Sequence, residues 1–292
     1  MDAALKASYE ECKRLNSLHG KTYYLATLLL PAEKRPYVHA LYGFARYADE
    51  IVDDLASTLS PHEKADALRS WSSGVLADLK AGTSSDHIGR ALVDTARKFD
   101  IPHQHFVDFL HSMEMDLTVT EYQTYDDLLE YVYGSAAVIG LEMVPILGYS
   151  DQSAYEAAKK LGIAFQLANF IRDVGEDLDR GRVYLPLQEL AKFGVDRAAL
   201  ERRTLTPEII NALKFQIARV RQLQAEAEIG IAYLDKVSRP CIRAASELYC
   251  GIVDEVEAIG YDIFNKRAKT STGRRARVAG VAYLQAIAAR IR

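Results

Sequence analysis

Apolar residues recur three and four apart over long stretches of this chain. Val38, Leu41, Tyr42, Ala45 and Ala48 form one stripe. Leu161, Phe165, Ala168 and Ile171 form a second that runs into the polar Arg172, and Ile217, Val220, Leu223, Ala227 and Ile231 form a third. That spacing places each set on one face of an α-helix. No run alternates apolar and polar residues between turn signals, as a half-buried strand would. The eight prolines punctuate the periodic stretches. Ser60-Pro61-His62-Glu63 predicts a helix start, with a capping serine, a proline in the first turn and a reciprocal glutamate. Thr206-Pro207-Glu208 repeats the cap and the proline. Turn-like segments at residues 81–87, 179–186 and 270–273 are short, so no interdomain linker is expected. The expectation is an all-α fold in a single domain spanning residues 1–292.

With 292 residues, 49% of them hydrophobic, the chain can fill a sizeable core. A net charge of −4 gives no basic field for recruiting nucleic acid, and no nucleic-acid partner is expected. Cys12, Cys241 and Cys250 are scattered and include no CxxC pair, which suits a reducing compartment and argues against a zinc module. The first residues are charged and lack the apolar core of a signal peptide. No stretch approaches the ~20 uninterrupted apolar residues of a membrane span. A cytoplasmic protein, with membrane association open, is the expectation.

Two acidic clusters interrupt the helical pattern. In the first, Asp49 and Asp53 are four apart and share a face, with Arg46 three residues before Asp49. Alone, such a cluster reads equally as a solvated helix end. The second carries Gln166, Asn169, Asp173 and Asp177 as one continuous stripe on an otherwise apolar helix. Four polar groups in a packed segment are costly unless they bind something. Hard oxygen ligands on two facing helices suit Mg²⁺, with Mn²⁺ an alternative, held against a diphosphate. Arg172, Arg180 and Arg182 supply forked donors beside them, for phosphate or for these same aspartates.

Other features are less specific. Tyr133 to Gly140 (YGSAAVIG) predicts a helix with a small-residue face. A helical glycine costs ~1 kcal/mol against alanine, so Gly134 and Gly140 serve either close packing or room for an elongated ligand. His103, His105 and His111 lack the partners of a zinc site and read as surface or capping residues. The basic segment after Lys266 reads as a solvated helix face, or as an electrostatic contact with an anionic membrane.

Three segments resemble the squalene and phytoene synthase family: YYLATLLLPAEKRPYVHALYGFARYADEIVDD, GSAAVIGLEMVPILG and LGIAFQLANFIRDVGEDLDRGRVYLP. The similarity runs from about His19 to Arg267. It implies a single-domain isoprenoid synthase fold, with helices around a central cavity and two aspartate-rich motifs. By position, Asp49, Asp53, Asn169 and Asp173 resemble the family's Mg²⁺ ligands, with Asp177 completing the second motif. His19, Lys21, Thr22, Tyr42, Arg46, Gln166, Arg172, Tyr249 and Arg267 match positions that contact prenyl diphosphates. Tyr133 and Tyr184 match tyrosines near the diphosphate, Tyr133 being assigned to the catalytic set. The family often carries serine where Gly20 stands, so a hydroxyl is missing there.

Within the family, DLTVTEYQTYDDLLEYVYGSAAVIG and GIVDEVEAIGYDIFNKRA resemble bacterial phytoene synthases. The implied reaction joins two geranylgeranyl diphosphates through prephytoene diphosphate to phytoene, with no nicotinamide cofactor. The alternatives are a farnesyl-diphosphate enzyme making squalene or dehydrosqualene, and a non-catalytic helical relative. The oligomeric state is left open. Tyr23 and Thr27 are four apart on the helix expected to begin at Lys21, and the small Thr27 is expected to leave room for a long prenyl tail.

Overall fold

The computed structural model describes residues 2–53 and 59–291, with the side chains of Asp53 and Pro61 outside the described set. The chain begins with helices α1 (Ala3–His19), α2 (Lys21–Thr27), α3 (Arg35–Asp53), α4 (Pro61–Ala81), α5 (His87–Lys98) and α6 (His103–Met115). Next come α7 (Tyr125–Val132), a π-helical turn over Tyr133–Ala137, and α8 (Val138–Leu147), which form one continuous element. The long α9 (Ser153–Asp179) is followed by the short α10 (Leu187–Ala191) and α11 (Arg197–Glu201). The remaining helices are α12 (Pro207–Ile231), α13 (Arg239–Cys250), α14 (Ile252–Ala258) and α15 (Thr272–Ile291). Among the described residues, extended pairing is confined to two isolated bridges, Glu121 with Val183 and Tyr149 with Leu234.

The expected start signals operate. Ser60 caps α4 in a capping box with Glu63, and the Thr206 hydroxyl accepts from the Ile209 amide at α12. Thr124 and Asp127 form a further capping box at α7.

Two large cores flank the middle of the molecule. One joins α7, α9 and α12 through residues such as Leu128, Ala164, Ile171, Leu213 and Val220. The other joins α1, α3, α5 and α6 through Cys12, Phe44, Leu92 and Phe106. The antiparallel α9 and α12 meet where a Cβ on Gly230 would stand 2.0 Å from that of Ala157, and where Lys160 pairs with Glu226 at 2.7 Å. A third, smaller core under α13 and α15 contains Leu30, Leu147, Leu234 and Val278.

The element from α7 to α8 is long and apolar enough to cross a membrane by length and composition, yet its side chains serve the interior. Leu128, Val132, Val138, Val144 and Ile146 are buried in the cores. Its π-turn is wedged between two neighbours. A Cβ at Gly134 would fall 2.1 Å from the Asp108 carbonyl on α6, and one at Gly162 on α9 would fall 2.6 Å from the Ala136 carbonyl. Glycine at both positions lets the three backbones close on one another. Close packing therefore explains Gly134. Gly140 both abuts the Ala158 carbonyl and lines a cavity.

Candidate active site: a charged cavity opening into an apolar one

Helices α3 and α9 face each other across a polar cavity of about 360 Å³. From α3 come Tyr42, Arg46 and Asp49, and from α9 come Gln166, Asn169, Arg172, Asp173 and Asp177. The turn after α9 adds Arg180, Arg182 and Tyr184, so the whole predicted α9 stripe and its arginine-bearing exit converge on one space. Asp53 ends α3, with its side chain outside the described residues.

Arginines neutralise the carboxylates. Arg46 bonds Asp49 through Nη1 at 2.8 Å and Glu50 through Nε at 3.1 Å. Arg172 grips Asp173 with two nitrogens, and Arg267 Nε bridges Asp173 and Glu176 at 3.1 and 3.2 Å. Asp177 is deeper. Burial, reinforced by the charge of Asp173 and opposed by Arg180 and Arg182, raises its carboxyl to about 7. Such a group gains most from a cation that lets it ionise. Asn169 Oδ1 lies buried without a hydrogen-bond partner on the same wall. An unmet oxygen, a strained carboxyl and Asp173 on one helix face fit a hard divalent cation. Among the described residues no three histidine, cysteine or acidic side chains converge as a ready-made cage. The acids divide between two walls, an arrangement that a diphosphate would complete.

Aromatic hydroxyls form the rear of this cavity. Tyr131 and Tyr184 both donate to Asp116, at 2.8 Å and 2.9 Å, and Arg182 donates to the Asp116 carbonyl at 2.7 Å. Tyr184 stacks on Phe170 with ring centroids 4.1 Å apart. Burial, then the Asp116 charge, pushes both phenols far above their ordinary range, so they stay protonated donors. Tyr42 is pushed up to about 12, mainly by burial.

The remaining predicted residues divide. Thr22, Tyr249 and Arg267 line a side pocket of about 200 Å³, joined to the main cavity by Arg172. Tyr249 stacks on Tyr23 at 4.7 Å. His19 lies at the α1 terminus, its Nε2 3.7 Å from Glu50, and Lys21 is exposed at the start of α2. Tyr133 lines neither cavity. It packs between the two large cores, with Lys159 Nζ 5.8 Å from its ring centroid. The tyrosine of that element that reaches the polar cavity is Tyr131, which the sequence pattern did not single out, and neither did it flag Asp116. At Gly20 a Cβ would stand 2.6 Å from the Tyr42 ring, so the missing hydroxyl has no room.

A second cavity, of about 320 Å³, continues from the first and is lined without a single charged residue. Its walls include Thr27, Leu30, Leu41, Met143, Leu161, Ile231 and Cys241. Thr27 is 3% exposed and lines this cavity, and its hydroxyl donates to the Tyr23 carbonyl at 2.8 Å. Tyr42, Ala45, Phe109, Ser135 and Gln166 border both cavities and form the neck between them.

An all-α fold with two acidic helices across such a cavity is the architecture of the isoprenoid synthases. Structural neighbours bear this out. A dehydrosqualene synthase crystal structure superposes with a TM-score of 0.87 at 26% identity, covering 96% of this chain and 98% of that one. The squalene synthase HpnC of Alicyclobacillus acidocaldarius matches in fold, at 0.82 and 23% identity, over 89% and 97%. The profile of the family "Squalene/phytoene synthase" matches residues 17–274, and the chain belongs to that family. It is 40% identical to a chloroplastic phytoene synthase of an Oncidium hybrid cultivar over 96% of this chain and 68% of the relative. Against phytoene synthase 1 of Zea mays the identity is 39%, with the same coverage.

Proposed function

We propose that this protein joins two geranylgeranyl diphosphates head to head and converts the product to phytoene. The observation that carries the reading is the neck. A charged cavity able to hold diphosphate opens directly into an uncharged one able to hold prenyl tails. Similarity to phytoene synthases over nearly the whole chain selects this member of the family's chemistry.

Asp49 and Asp53 on α3, with Asn169, Asp173 and Asp177 on α9, would hold Mg²⁺. Bound there, the metal would draw electrons from the leaving diphosphate and offset its charge. Arg46, Arg172 and Arg267 then exchange their carboxylate partners for phosphate oxygens, for which their planar forks are equally suited. As diphosphate leaves the first molecule, its allylic C1–O electron pair departs with it. The double bond of the second molecule attacks, and loss of a proton closes the cyclopropane of prephytoene diphosphate. That intermediate ionises in the same space, rearranges and loses a proton to give phytoene. The apolar walls exclude water, which would otherwise quench the cation to an alcohol. Tyr131 and Tyr184, held neutral and oriented by Asp116, present hydroxyl dipoles to the reacting end. No reductant enters, so the test is direct. Purified protein with Mg²⁺ and geranylgeranyl diphosphate should yield phytoene without NADPH. A hydrocarbon made only from farnesyl diphosphate would replace the reading with squalene or dehydrosqualene synthesis.

The product is a hydrocarbon, and we place the protein in the cytoplasm in peripheral contact with a membrane. Leu284 and Ile291 on α15 and Leu25 on α2 are 68%, 79% and 64% exposed, and Arg290 ties α15 to the turn after α2 by a 2.8 Å bond to the Leu29 carbonyl. The arginines divide in role. Arg274 clamps α15 to Asp254 and Glu255, and Arg277 pairs with Glu247, leaving apolar insertion as the larger contribution. Pelleting with lipid vesicles that Leu284→Ser weakens supports the contact, and equal recovery of both proteins in the supernatant removes it.

A further inference from the structure

The α7 to α8 element changes character at one residue. Tyr131 and Ser135 face the polar cavity, whereas Ala136, Ile139, Gly140, Met143, Val144 and Leu147 line only the apolar one. Ser135 alone on this element borders both. It sits in the π-turn, a feature concentrated at functional sites because it costs helix stability and re-aims side chains. Gly134 against α6 and Gly162 of α9 against Ala136 hold that turn from both sides.

The Ser135 hydroxyl is shielded from solvent and has no hydrogen-bond partner. A serine within a helix ordinarily bonds the carbonyl four residues back. Here that carbonyl belongs to Tyr131, and it accepts instead from the Ser112 hydroxyl at 2.9 Å. Leaving a buried hydroxyl unmet is costly, so its retention at the junction of the two cavities calls for a ligand. The ligand that passes this neck under the proposed function has its diphosphate on one side and its prenyl tail on the other.

We propose that Ser135 is a catalytic residue whose hydroxyl donates a hydrogen bond to the diphosphate of the prenyl substrate threaded through the neck. The inference rests on the proposed function and adds to it a donor from outside the two acidic helices. As the C1–O bond breaks, its electron pair goes to the diphosphate oxygen. The proton stays on Ser135 Oγ, and the hydrogen bond strengthens as charge develops on its acceptor. A donor placed in this way stabilises the transition state more than the ground state.

Ser135→Ala tests this with two readouts that move in opposite directions. Removing an unmet hydroxyl from the free protein should leave Tm unchanged or raise it, while kcat for hydrocarbon formation falls by about 10²-fold. Binding of the unreactive geranylgeranyl thiolodiphosphate with Mg²⁺ should weaken by about tenfold. Ser135→Cys, close in size but a weak donor, should show the same loss and covers the case in which alanine upsets folding. A kcat within about twofold of the native protein, or analogue binding unchanged in a folded variant, would overturn the assignment. Native protein that makes no hydrocarbon yet binds the analogue through Ser135 would remove the proposed reaction and keep the contact.

Discussion

The two cavities are similar in size, about 360 and 320 Å³, and share a neck, yet they are built in opposite ways. The polar one gathers four aspartates and four arginines, with Arg46 paired to Asp49 and Arg172 to Asp173. The apolar one has no charge to answer, and its outline is set by small residues such as Ala157, Gly140 and Gly162. Under the proposed function, the first works through which groups titrate and which charges pair. The second works through volume. Substitutions should therefore divide cleanly: those on the polar side change rate, and those on the apolar side change which chain is accepted.

The sharpest break is at Asp173, the carboxylate shared by Arg172 and Arg267. Asp173→Asn should lower kcat by about 10³-fold or more, because it removes a proposed cation ligand and the anchor of two arginines at once. Stability should hold, since Arg267 stays close to half exposed to solvent and the charge of Asp173 no longer opposes ionisation of Asp177. Steady-state kinetics with Mg²⁺ varied, beside a thermal melt, checks both halves. Near-normal turnover would remove α9 from the reaction.

A smaller effect separates two tyrosines of one helix. Tyr131→Phe removes a hydroxyl bonded to Asp116 in the polar cavity and should cost about 10²-fold in kcat. Tyr133→Phe should stay within about threefold, since that ring packs between the cores and lines neither cavity. Equal losses in the two variants would undo the assignment of Tyr131 to the rear of the site.

That pair also shows what the sequence carries and what it does not. The α9 stripe was legible because its period and its cost appear together: Gln166, Asn169, Asp173 and Asp177 repeat at helical spacing among residues that must be buried. The all-α fold was legible for the same reason of period, and the caps at Ser60 and Thr206 marked its boundaries. Tyr131 and Tyr133 are two residues apart, hence on opposite sides of a helix, and nothing local says which side meets the cavity. The deciding signal is the approach of Gly134 to the Asp108 carbonyl, a contact between segments distant in sequence. Asp116 was illegible for a related reason. It gains meaning only when Tyr131, Tyr184 and Arg182 from two other segments meet it.

On the apolar side, Thr27→Phe should alter selection with less effect on rate. The side chain lines the cavity below Tyr23 and is enclosed. Phenylalanine there fills space that a 20-carbon tail would need. The ratio of turnover with geranylgeranyl to farnesyl diphosphate should fall by about 10–100-fold, the range in which pocket volume discriminates chains. An unchanged ratio in a folded variant would place the limit of chain length elsewhere along the wall.

Glu142 offers the finest test, because it is a carboxyl inside the half that otherwise excludes charge. It lies on α8 beside cavity-lining Met143 and shares a helix face with Val138 and Ile146 of the neighbouring core. It is 0% exposed, and neither carboxyl oxygen has a hydrogen-bond partner. Burial alone pushes its carboxyl well above the ordinary 4.5, so it is tolerated as the neutral acid. The folded state then keeps a proton that the unfolded chain releases, and stability must fall as pH rises above about 4.5 towards the folded value. Asp177 adds a slope of the same sign up to about pH 7, present in both proteins and cancelling in their difference. Glutamine at 142 is neutral throughout. Glu142→Gln should therefore match the native Tm near pH 5 and exceed it progressively towards pH 8, at about 2–4 °C for each kcal/mol relieved. Activity with geranylgeranyl diphosphate should be unchanged, because Glu142 lines neither cavity. A Tm difference that does not vary with pH would show that this carboxyl has found a partner or water, and that the apolar half admits charge after all.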